Sequence, residues 1–189
     1  ARCRDQRPER AARPAVTAGD SGASNPPSAP SPALEALLDD ARRRLAGAPR
    51  ERLGDWAQAR KLLGFGRAPR IVPVGEAWHV GVLLIADAEV YATGEVLRAR
   101  TEAPRGYTAQ AQRERSERAA AAARGGFADG EVVHLGAVRL GLEALRHGEA
   151  SGPLSIAGGA PGGTVLVRWS ATGAPRPLAD YLDEQLALR

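Results

Sequence analysis

The chain has 189 residues, 26 basic against 22 acidic side chains, a net charge of +4, and 43% hydrophobic residues. This suffices for one ordinary domain plus a short extra segment, and it lacks the clustered basic excess of a dedicated phosphate-binding surface. Because 25 of the basic residues are Arg and only Lys61 is Lys, the high isoelectric point reads as a GC-rich coding bias, since Arg stays charged to very high pH.

The first 32 residues contain Val16 as their one member of the Val, Ile, Leu and Phe set, and 18–32 are almost wholly Ser, Pro, Gly and Ala. Such a composition cannot offset chain entropy by burial, so 1–32 reads as a disordered arm and 33–189 as a single domain. Cys3, the single cysteine, lies in that arm. It excludes an internal disulfide or a multi-cysteine metal site and fits a reducing cytoplasm. Neither a signal peptide nor a run of about 18 apolar residues is visible, which argues against a membrane role. The complete lack of Met suggests a fragment, or a reading frame extended upstream of its true start, in which case 1–32 is not native protein.

Ser31-Pro32 opens the first amphipathic helix, with Leu34, Leu37, Leu38, Ala41 and Leu45 at helical spacing and Gly47 as its stop. A second, weaker helix is expected over Glu51–Leu63, before a turn at Gly64-Phe65-Gly66. Ile71, Val72 and Val74 mark a short strand with Pro73 at an edge or bulge, and Trp78–Ile85 reads as a central strand, apolar on both faces. Asp87-Ala88 reverses the chain into a second hairpin strand over Val90–Leu97. The longest helix is expected over Thr108–Arg124, its apolar atoms almost all methyl groups, ending at Gly125-Gly126. Then follow a strand (Glu131–Val138), a short helix (Leu142–His147), a glycine-rich turn (158–163), a strand (Thr164–Ser170) and a last helix opened by Pro177. The order implies an α+β domain with a mostly antiparallel sheet of four to six strands flanked by helices, with α/β as the alternative.

Several chemistries fail on missing groups. There is no G-x-x-x-x-G-K-[ST] loop and no G-x-S-x-G elbow, no serine stands three residues before Lys61, and the glycine-rich segment precedes a strand where a dinucleotide fingerprint follows one. His147 sits in the last turn of a short helix, where a cation complements the helix dipole. His79 and His134 each interrupt an apolar strand, and Glu95 lies on the neighbouring hairpin strand. If His79, Glu95 and His134 converge, they could ligate a divalent metal or carry acid–base chemistry; their spacing matches no local chelating motif, and no metal or cofactor is assigned. Arg98, Arg100, Arg113 and Arg118 could form a basic face, beside Arg105 and Arg115, but Glu102, Glu114 and Glu117 are interleaved, and Tyr107 is the one nearby ring for base stacking.

The strings RIVPVGEAWHVGVLL (70–84), ATGEVLRAR (92–100), RGGFADGE (124–131), VHLG (133–136), SGPL (151–154) and VRWS (167–170) resemble a family of uncharacterised proteins from high-GC actinobacteria. The similarity covers about Ala33 to the end, and some members carry an automatic glutaminase label. The label implies amide hydrolysis, for which the residues themselves offer His79, His134 and Glu95 as candidates. The residues themselves favour a cytoplasmic domain that binds a small molecule or protein without covalent catalysis, leaving hydrolysis second and weak nucleic-acid binding third.

Overall fold

The computed structural model describes residues 32–57, 68–101 and 109–189. Residues 1–31 of the expected arm (1–32), the turn at 64–66, and Lys61, Glu102, Arg105 and Tyr107 lie outside the described residues, while Pro32 is described. The α+β reading holds. In chain order the elements are α1 (Pro32–Leu45), β1 (Glu51–Trp56), β2 (Ile71–Val80), β3 (Leu83–Ile85), β4 (Val90–Ala92), β5 (Glu95–Arg98), α2 (Gln110–Gly125), β6 (Val132–Leu135), β7 (Val138–Arg139), α3 (Leu142–Arg146), β8 (Leu154–Ile156), β9 (Val165–Val167), β10 (Arg176–Pro177) and α4 (Leu178–Ala187). Among the described residues no helix is long and apolar enough to cross a membrane.

Seven strands form one sheet in the order β5-β6-β1-β2-β3-β4-β7, and three form another, β10-β9-β8. Every pairing is antiparallel except β1 with β6. The order carries a geometric consequence. Strands β6 and β7 occupy the second and seventh places, which in a flat sheet stand about 24 Å apart at about 4.8 Å per strand. The link between them is Gly136-Ala137, which spans at most about 11 Å. The sheet must therefore curl until it closes, with the bent β6–β7 segment pairing with β1 at one end and β4 at the other. Strand β5 hangs on the outside of this ring, paired with β6.

Closure explains how both faces of a short sheet become buried. Facing inward, Leu53, Ala77 and Leu84 form a small cluster with Tyr91 and Ala137 packed against it. On the outside, Trp78, Val80, Leu83, Ile85 and Val90 pack with Leu34, Leu38 and Leu45 of α1, Leu178, Tyr181 and Leu182 of α4, and Leu154, Ile156, Val165 and Val167 of the smaller sheet. A separate outer cluster joins Ile71, Leu97, Val133 and Leu135 to Ala121, Ala122 and Phe127. Helix α2 thus divides its length. Its second half lies against the sheet through methyl groups and Gly125, while Ala111 to Arg115 are exposed.

Three expectations are corrected. Glu51–Trp56 is a strand, not the start of a helix, because it gains ladder bonds on both sides, from β2 and β6, which outweighs the modest local preference of ERLGDW. Gly54 permits this packing: a Cβ there would lie 2.7 Å from Val133 Cγ1 and 2.8 Å from Ile71 Cγ2. Trp78–Ile85 is a hairpin, turning at Gly81, whose φ is +59°. Val90–Leu97 is split at Thr93-Gly94 into two strands that hold different places in the sheet. Pro73 does mark a bulge, standing opposite Gly54 where the β1–β2 register shifts.

Candidate metal centre

Register decides which side chains meet. On β1, Glu51 and Leu53 are two residues apart and share a face. Leu53 is aligned with His134 on β6, and Glu51 with Ala77 on β2. His79, two residues beyond Ala77, therefore points to the same inward face, and so does His134. Three adjacent strands bring one carboxylate and two imidazoles together at one margin of the ring's interior.

The donor atoms are close. Glu51 Oε2 lies 2.5 Å from His134 Nε2 and 3.4 Å from His79 Nδ1, and all three donors fall within 4.8 Å of one another. The two rings meet edge to face, with centroids 4.6 Å apart. His134 has no exposed side-chain surface, whereas His79 and Glu51 keep 31% and 34% of theirs. The cluster is anchored in the core on one side and open on the other.

Hydrogen bonding fixes what the centre wants. His79 Nε2 lies 2.8 Å from the Gly81 carbonyl oxygen, an atom that can only accept, so Nε2 carries the hydrogen and donates it. The other ring nitrogen, Nδ1, lies 3.4 Å from a carboxylate oxygen of Glu51. A backbone carbonyl on the outer nitrogen of a ligating imidazole is the usual device for fixing tautomer and ring orientation. His134 Nδ1 is buried with no hydrogen-bond partner, and such an atom in a core position calls for an explanation.

The expected trio is thus partly assembled. His79 and His134 come together, as anticipated, but the carboxylate is Glu51. Glu95 is excluded by register: it pairs with Leu135 on β5–β6, faces the outer side, and binds Arg118 at 2.9 Å. Reading Glu51–Trp56 as helix concealed the correct residue, since only a strand's alternation places Glu51 beside His134. His147 meets Glu143 one helical turn earlier, at 3.2 Å, and is not among the grouped donors.

The four arginines expected to form a basic face are dispersed in role. Arg118 is engaged by Glu95, and Arg113 is exposed on α2. Arg98 and Arg100 do share a groove, with Arg115 as the third cation. Comparison with protein-family models, curated proteins and solved structures finds no match to this chain.

Proposed function

We propose that this domain holds a divalent transition-metal ion of the zinc class between Glu51 Oε2, His79 Nδ1 and His134 Nε2, and uses the ion's remaining coordination position to bind a small ligand. The observation that carries the reading is the convergence of one carboxylate oxygen and two imidazole nitrogens within 4.8 Å of one another, with the far nitrogen of His79 held by the Gly81 carbonyl. Two imidazole nitrogens and one carboxylate oxygen suit zinc and related ions. In tetrahedral coordination with bonds of 2.0–2.1 Å, ligand atoms stand about 3.3 Å apart. The His79–Glu51 spacing of 3.4 Å already meets that value, and the His134–Glu51 spacing of 2.5 Å needs to open by less than 1 Å.

The set differs from that of a structural metal site, which is closed by four protein ligands. Three donors are present among the described residues, and the exposed sides of His79 and Glu51 face solvent, so a ligand or water would complete the sphere. That openness also favours a second reading, hydrolysis of an amide by water polarised at the centre. His134 is sealed in the core and so out of reach of a substrate as a general base.

Titration of the full chain with Co²⁺ and Zn²⁺ tests the proposal. Expected are one equivalent bound, visible absorption bands of tetrahedral or five-coordinate Co²⁺, and loss of both on Glu51→Gln or His79→Ala. No stoichiometric binding, or binding that survives both substitutions, overturns it. Ammonia release from glutamine and simple amides by the Zn²⁺-loaded protein decides the hydrolytic reading, and inactivity across that panel removes it.

A further inference from the structure

A second site lies outside the ring and is independent of the metal reading. Strand β5 is the open edge of the seven-stranded sheet. Its ladder with β6 continues to Ala99, whose N–H donates to the Glu131 carbonyl at 2.9 Å. In an antiparallel pair such inward-bonded residues alternate with outward-facing ones. Ala99, Leu97 and Glu95 thus turn their backbone groups to β6, and Val96 and Arg98 turn theirs to the edge. Arg100, next in the outward series, donates its N–H to the Ala119 carbonyl of α2 at 3.1 Å. Among the described residues, the edge N–H and C=O groups of Val96 and Arg98 have no backbone partner.

Beside this edge runs a groove of about 310 Å³, with β5 as one wall and the exposed half of α2 as the other, through Gln112, Arg115, Ser116 and Ala119. Arg98, Arg100 and Arg115 line it, and among the described residues no carboxylate does. Arg100 and Arg115 form no ion pair among the described residues, and Arg98 reaches only the Gly130 carbonyl, at 3.3 Å. Val96 adds an apolar contact that is 52% exposed. Outward-facing backbone donors and acceptors together with three clustered guanidinium groups suit a guest that has both a peptide backbone and negative side chains.

We propose that the β5 edge and the groove beside α2 bind an extended acidic segment of a partner protein by strand addition, its backbone pairing with Val96 and Arg98 and its carboxylates meeting Arg98, Arg100 and Arg115. A nucleic acid fits less well. Phosphates would satisfy the cations but leave the edge carbonyls of Val96 and Arg98 without donors, and among the described residues no aromatic ring lines the groove to stack a base.

The test uses a fluorescein-labelled eight-residue peptide of alternating Glu and Thr, followed by fluorescence anisotropy with the full chain. Saturable binding is expected, weakened about tenfold or more by Arg98→Glu combined with Arg115→Glu. Because an added strand bonds through alternate residues, N-methylation of one alternate set should weaken binding about tenfold and methylation of the other set much less. Val96→Pro, which deletes an outward N–H and leaves the β6 ladder intact, should act in the same direction as the damaging methylation pattern. The methylated peptides are read against the unaltered protein, so a folding defect in a variant does not confound them. No saturable binding at millimolar peptide, equal effects of the two methylation patterns, or an eight-residue oligothymidylate binding as tightly with the same dependence on Arg98 and Arg115, each overturns the proposal.

Discussion

Glu51 Oε2 and His134 Nε2 stand 2.5 Å apart on parallel neighbouring strands, and the outer nitrogen of that buried ring has no partner. A polar ring kept in a core without full satisfaction is costly unless function retains it. His134→Leu separates the two roles. Leucine has comparable bulk and removes the orphaned nitrogen, while Glu51, a third exposed, regains water. The metal-free variant should therefore melt within about 1 kcal/mol of the wild type, or above it. Its stabilisation by added Zn²⁺ should vanish. A loss beyond about 3 kcal/mol without metal would mark the imidazole as structural instead.

The Gly81 turn presents the carbonyl that orients His79, and α4 holds that turn from outside. The Val82 N–H donates to the Tyr181 hydroxyl at 2.8 Å, and Tyr181 is itself buried. Tyr181→Phe leaves this N–H without its partner, at a cost of about 1–2 kcal/mol. With the turn loosened, metal affinity should fall several-fold, within the range seen when outer supports of a metal ligand are removed. Chemical denaturation and Co²⁺ titration of the same sample check both effects. Unchanged affinity alongside the stability loss would show that the turn does not govern His79.

How much of this could be read in the sequence depends on whether each signal was local. The first and last helices follow from leucine spacing and Pro placement, and the end of α2 from Gly126 in the left-handed region, with φ +108°. His79 and His134 stood out as single polar residues in apolar strands. Glu51 did not, because its role depends on a parallel pairing with β6 across 83 positions of sequence, and no window along the chain contains that information. The same holds for the strand character of ERLGDW and for closure of the ring, both products of long-range pairing.

Helix α2 approaches the sheet at Gly125, where an added Cβ would lie 1.6 Å from the Ile71 carbonyl oxygen and 2.5 Å from its carbon. Helix propensity alone favours Gly125→Ala by about 1 kcal/mol. Backbone cannot yield as a side-chain end can, so the clash should win. The expected result is a net destabilisation of about 1–3 kcal/mol, measured by denaturant unfolding. A stabilised variant would mean that α2 can slide outward without disturbing Phe127 and Val133.

Arg50 lies 4.1 Å over the Trp78 ring and holds Asp87 through two hydrogen bonds of 2.6 and 2.9 Å. Hydrogen bonding from this guanidinium, reinforced by its charge, lowers the Asp87 carboxyl below the ordinary aspartate range. A depressed carboxyl stabilises the folded form fully above the unfolded aspartate value of about 3.9, and that contribution is lost as pH falls through the lowered folded value. Asp87 is largely exposed, so the effect belongs in a titration curve more than in a melting temperature. Carbon-detected NMR should place the Asp87 midpoint below those of free aspartates, and Arg50→Gln should return it upward. An ordinary midpoint in the wild-type chain would show that the two-bond contact does not persist in solution.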